Sequence, residues 1–159
     1  MSIDLVIPAG VVTCQVSWRS WAVDSRDGEV DRVLIDGNEV WSEAARCWGG
    51  SAGEGWELGP RDFPNPYGGD SDVCFAAVTV EVPCQGSLNL NFVSGTDQAE
   101  ADEAWAFSDV TVIGSNGEVV ILEELGASPN GWTNTEVTDV GSAGLVHGEN
   151  SVCLAGRGE

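Results

Sequence analysis

Carboxylates are the side chains with the most chemistry to offer in this chain, and they gather in two segments. The first runs Trp21-Ala-Val-Asp24-Ser-Arg-Asp27-Gly28-Glu29-Val-Asp31 and leads into the apolar run Val33-Leu34-Ile35. The second runs Gly95-Thr-Asp97-Gln-Ala-Glu100-Ala-Asp102-Glu103-Ala-Trp105 and leads into Val110-Thr-Val112-Ile113. Each lies between strand-like stretches and reads as a carboxylate-rich loop. Clustered carboxylates repel until a cation neutralises them, and an all-oxygen set suits calcium, which takes about 6–8 oxygens. Asp24, Asp27, Glu29, Asp97, Asp102 and Glu103 are therefore the candidate metal ligands. If the two loops sit at the same end of the fold, they can serve one ion, with carbonyls and waters completing the set. The spacing is not that of an EF-hand, which needs D-x-D-x-D-G and a later Glu. The competing reading uses no metal: the acids cap turns, accept backbone N–H bonds, or pair with Arg26, Arg32 and Arg46.

Aromatic residues offer a second kind of site. Among seven tryptophans, Trp18, Trp41 and Trp105 fall at strand positions and read as core, whereas Trp48, Trp56 and Tyr67 fall in a long irregular stretch. Rings beside polar Asp and Asn can meet a sugar by stacking and hydrogen bonding, so these three are the candidate ligand-binding residues. The same rings could instead plug one end of the fold. Catalysis has little support. His147 is the only histidine and lacks a recognisable nucleophile motif nearby. A glycosidase needs two carboxylates, but acids are so abundant here that finding a pair discriminates nothing. The chain reads as a non-enzyme.

Charge narrows the partners. With 26 acidic against 6 basic residues the net charge is −20, which excludes nucleic acid and anionic membrane surfaces as expected partners. Cations, basic proteins and neutral sugars remain, as does a merely solvated surface. No apolar run approaches the roughly 20 residues of a spanning helix, so no membrane insertion is expected. The start, Met1 to Pro8, lacks a basic leader and does not read as a signal peptide. The expectation is an intracellular protein, or a mature piece of a longer chain.

The five cysteines, at 14, 47, 74, 84 and 153, form no zinc pattern. Cys74 and Cys84 are separated by a strand of about 33 Å, too far for a bridge. Disulfides must then join different strands, and we take Cys47 with Cys74 and Cys14 with Cys84, leaving Cys153 over. Such cysteine density leans towards a secreted protein; buried free thiols are the alternative.

The elements that must position these residues are strands. Val11 to Trp18 alternates, with Val12, Cys14, Val16 and Trp18 on one face. Arg32-Val-Leu-Ile35 and Glu39-Val-Trp41 flank the turn signal Asp36-Gly37-Asn38. Cys74 to Val82, Ser87 to Val93, Phe107 to Ile113 and Glu118 to Leu122 complete the set, the last entered through Asn116-Gly117. Ser42 to Cys47 is the sole helix candidate, worth one turn. Residues 49–72 read as irregular. Many short strands with turns between them predict an all-β, antiparallel sandwich. We place it in residues 1–125, with 126–159 as a Gly/Ser/Asn-rich tail: terminal strands, a linker, or the start of a neighbouring repeat.

Taken together, Asp24-Ser-Arg-Asp27-Gly28-Glu29, Asp36-Gly37 with Val40-Trp41, Leu88-Asn-Leu-Asn-Phe92, Asp97-Gln98 and Asp102-Glu103-Ala-Trp105 resemble a family of β-sandwich modules in protist and algal surface and secreted proteins. The resemblance spans roughly residues 8 to 114. Arg26 stands where the family has an aromatic, and Ala106 where it has a glycine. Gly131-Trp132 is similar to the opening of such a module. The resemblance implies a jelly-roll, galactose-binding-like fold without catalytic activity, at the cell surface or outside the cell, within a longer chain. The expected role is a calcium-stabilised structural or interaction module meeting other protein modules or glycans, or self-associating. A carbohydrate-binding, lectin-like domain is the alternative.

Overall fold

The computed structural model describes residues 2–24, 26–59, 73–95, 103–122, 144–146 and 152–154. It is all strand and turn. Alternation of β-branched and aromatic residues with polar ones produces two antiparallel sheets that bury their apolar faces against each other, a β-sandwich. The first sheet comprises β1 (Ser2–Val6), β8 (Ser87–Val93), β3 (Arg26–Ile35), β4 (Asn38–Trp48) and β5 (Ser51–Ala52), in that spatial order. The second runs β11 (Gly144–Val146), β12 (Val152–Leu154), β9 (Glu103–Gly114), β2 (Thr13–Asp24), β7 (Val73–Pro83) and β6 (Glu57–Leu58), and β10 (Val119–Leu122) pairs with β9 as well.

The alternation anticipated for β8 is met residue by residue, since Leu88, Leu90 and Phe92 are buried while Asn89 and Asn91 are not. Cys14, Val16 and Trp18 of β2 are buried too, but Val12 precedes the strand and is exposed. Trp18 is the centre of the core. It meets Trp41 and Phe92 edge-on at 6.1 and 5.8 Å, and Phe92 stacks on Phe107 at 4.3 Å. Edge-on and offset rings place a positive ring edge against a negative face, which adds to the area they bury.

Residues 42–47 are strand, not helix. They pair with β3 through Ser42↔Arg32 and Ala44↔Val30, and Ala45 and Cys47 alternate inward with no exposure. Propensity for a single helical turn cannot compete with a full ladder of strand hydrogen bonds. The stretch taken as irregular contributes two short strands, β5 and β6, one to each sheet. The tail supplies β11 and β12, and β12 pairs with β9 through Cys153↔Ala106.

The β3–β4 hairpin turns at Asp36 and Gly37, with φ of 49° and 76°, so both central residues are left-handed as a two-residue type I′ turn requires. Asp36 also anchors the tip sideways, because its Oδ1 accepts the Asn89 N–H at 2.8 Å. Gly37→Ala should cost about 1 kcal/mol, the penalty of a Cβ in that region. An unchanged urea midpoint would refute this account of the turn.

Two disulfides lock the sandwich, with the pairing taken from the sequence. Cys47–Cys74 ties β4 of one sheet to β7 of the other, and Cys14–Cys84 ties the start of β2 to the residue after β7. All four cysteines are buried.

Candidate functional site

The first acidic segment is a crossing between the sheets, not a loop. β2 ends at Asp24 in one sheet and β3 begins at Arg26 in the other. Pairing with β4 then skips from Asp27↔Arg46 to Val30↔Ala44, so β3 carries one extra residue across 28–29. This bulge turns Glu29 back on its own strand. Its Oε2 accepts the Arg26 Nε–H at 3.2 Å and the backbone N–H groups of Asp27 at 3.0 Å and Gly28 at 3.3 Å. Arg26 Nη2 donates to Asp31 Oδ1 at 2.9 Å and to the Glu29 carbonyl at 3.4 Å. The Arg26 side chain is wholly buried, and those of Glu29 and Asp31 nearly so.

Asp31 carries the link to the second acidic segment. It accepts the Ser94 hydroxyl at 2.6 Å and a hydrogen bond from the backbone of Gly95. That approach is so close that a Cβ at Gly95 would lie 2.8 Å from the Val30 carbonyl oxygen. At its other end the second segment enters β9, where Glu103 pairs with Asp24 in the antiparallel register. The two segments thus meet twice at one end of the sandwich, through Asp31 with Gly95 and through Asp24 with Glu103.

Burial pushes the Asp31 carboxyl above its ordinary value of 3.8, against the pull of Arg26, Ser94 and Gly95. Glu29 goes the other way. Burial pushes it up too, but hydrogen bonds from its own backbone, from Asp27 and from Arg26 together hold it below 4.5. Both directions follow from partial desolvation set against donors to the charged form.

Of the candidate metal ligands, Asp27 is exposed and Glu29 is turned inward onto Arg26. Asp24 and Glu103 are opposite each other across the β2–β9 ladder, and Asp97 and Asp102 lie outside the described residues. Among the described residues no three His, Cys, Asp or Glu side chains gather as ion ligands. The oxygen chemistry suits calcium, but Glu29 Oε2 is already saturated by three donors. Arg26 is the cation that faces Glu29 and Asp31. Of the candidate sugar contacts, Trp56 is buried, with its ring 6.2 Å from that of Trp41. Tyr67 lies outside the described residues, as does His147. Trp48 is 72% exposed.

Trp48 borders an open cleft of about 400 Å³ lined by Arg26, Asp27, Arg46, Cys47, Trp48 and the run Ser51 to Gly53. The β4–β5 turn builds its rim, since Trp48 pairs with Ser51 and the Gly53 N–H donates to the Arg46 carbonyl at 2.8 Å. Asp31 and Ser94 are absent from the residues singled out in the sequence, whereas Arg26 is named there as an ion-pair partner of the acids, and it is one. The signal is that Arg26 is the lone cation among the four acids from Asp24 to Asp31, in a chain with only six basic residues.

No helix among the described residues is long and apolar enough to cross a membrane. No family model, curated protein or solved structure matches the chain.

Proposed function

We propose that this chain is a non-catalytic β-sandwich module of an extracellular or cell-surface protein, with a structural or interaction role. The observation that carries the reading is the meeting of the two acidic segments at one end, knit to each other through the buried Arg26–Asp31 pair. A carboxylate cluster arranged this way spends its charges on holding strands together. The disulfides support an oxidising location, because such bonds persist outside the cytosol.

Calcium adds to this scaffold in the proposal. Asp24, Asp27, Asp97, Asp102 and Glu103 are the residues that would hold it, with Glu29 already engaged by Arg26. An ion bound only by the folded chain stabilises it by linkage. Millimolar calcium should raise the Tm by about 2–4 °C over EDTA at an affinity ordinary for extracellular sites. Superimposable calorimetric scans would remove calcium from the account and leave the Arg26 scaffold standing.

A second reading, a carbohydrate-binding domain, is favoured by one observation: Trp48 is exposed at the rim of a cleft that also presents guanidinium, carboxylate and hydroxyl groups. Exposed indole beside convergent polar groups is how a sugar ring is held.

A further inference from the structure

We propose that the Arg26–Arg46–Trp48 cleft binds an acidic sugar, a pyranose carrying a carboxylate, with the ring on Trp48 and the carboxylate towards the two arginines. The inference rests on the carbohydrate-binding reading and specifies its ligand.

The distribution of cation in an acidic molecule is the starting point. All six basic residues are arginines. Among the described ones, Arg19 pairs with Asp109 and Arg32 with Glu39 on the surface. The remaining two, Arg26 and Arg46, line this one cleft. Arg46 is exposed and has no ion pair among the described residues. A solvated arginine with nothing to hold is unremarkable alone, but Arg26 is not solvated. It is fully buried, and its Nη1 has no hydrogen-bond acceptor among the described residues. A buried guanidinium N–H left without an acceptor has given up its water for nothing, so its retention calls for a partner. A guanidinium has donors and no acceptor, and its natural complement is a carboxylate.

The rest of the lining selects the body of the ligand. Trp48 offers an exposed indole face, and Ser51 and Asp27 offer an exposed hydroxyl and carboxylate. That is a surface for a ring with one apolar face and hydroxyls around its rim. A cleft of about 400 Å³ accommodates one or two such rings. Net charge argues against anions over the molecule as a whole, and Arg26 already holds Glu29 and Asp31. The attraction at contact distance therefore comes from the unpaired Arg46 and the unmet Arg26 Nη1 donor, while charges beyond about 8–10 Å are screened.

The test uses tryptophan fluorescence titrated with glucuronate and galacturonate oligosaccharides, their neutral counterparts, and a sulfated sugar. Expected is saturable binding of a uronate series that weakens with salt, with neutral sugars at least tenfold weaker. Arg46→Ala and Trp48→Ala change exposed side chains, so both variants should fold; each should weaken uronate binding by about tenfold. Equal binding of neutral and acidic sugars would keep the carbohydrate reading and overturn the carboxylate. Preference for the sulfated sugar would do the same. No binding of any sugar would overturn both. Uronate binding untouched by Arg46→Ala and Trp48→Ala would refute this cleft as the site.

Discussion

Replacing Arg26 by methionine should cost about 3–5 kcal/mol of stability at neutral pH, the loss typical when one partner of a buried ion pair is removed. Methionine keeps much of the side-chain volume, so the loss would come from electrostatics more than from a cavity. Asp31 would be left buried, with only Ser94 and the Gly95 backbone to hold its charge. The pH dependence separates this from a packing defect. Asp31 is held above 3.8 in the folded protein, so the stability it contributes is full below that value and is lost as pH rises through its folded pKa. Glu29 is held below 4.5, so its contribution is present above that value and is lost as pH falls through its folded pKa. Without Arg26 the attraction that lowers Asp31 disappears and its carboxyl climbs further. The deficit of Arg26→Met against wild type should therefore shrink as pH is lowered from 7 towards about 4. A deficit flat across that range in urea titrations would mean that the arginine acts by filling space. Asp31→Asn combined with Arg26→Met should recover part of the loss even at neutral pH, because no buried charge then lacks its partner.

The second large effect concerns the bridge between the sheets. Cys47 and Cys74 are 27 residues apart, and closing a loop of that length removes unfolded-chain entropy worth about 3.5 kcal/mol. For Cys14 and Cys84, 70 apart, the same argument gives about 4.4 kcal/mol. The double change Cys47→Ala, Cys74→Ala should lower stability by the first amount, or more if the small cavity is not closed by its neighbours Ala45, Trp56 and Ala76. No other disulfide among the described residues joins the two sheets, so this change should also loosen one sheet against the other. Hydrogen exchange should report faster opening in β4 and β7 than the Cys14–Cys84 variant shows. Equal exchange in the two variants would contradict the distinct role given to the inter-sheet bridge.

Much of the sandwich was legible because local pattern and tertiary demand agree. β8 alternates so cleanly that its buried face can be read from Leu88, Leu90 and Phe92 alone. Asp36-Gly37 names its own turn, since few residue pairs tolerate two left-handed positions. Strand length forbids Cys74 to reach Cys84 and left several pairings open; the one chosen, Cys47 with Cys74 and Cys14 with Cys84, is the one the structure has. Residues 42–47 misled because Glu, Ala and Arg favour a helix in isolation. Only the neighbouring β3, distant in hydrogen-bonding terms until the hairpin closes, makes them strand.

The acidic segments show the same division at the level of function. From the sequence alone came their charge, their recurrence and their places between strands, because composition and alternation are local properties. The cation that neutralises two of them, Arg26, is near in sequence, but the geometry that brings it to them is not set locally. Glu29 meets Arg26 through a bulge that depends on the register with β4, and Asp31 meets Ser94 and Gly95 across 63 residues of chain. Trp48 and Trp56 are alike as residues in a sequence, yet one is exposed and the other buried, because Trp48 follows the inward-facing Cys47 on β4 while Trp56 packs on Trp41 in the cluster around Cys47 and Cys74. Residue types determined what chemistry was available; only the packing of one sheet on the other decided which charges were spent on the fold and which were left facing the cleft.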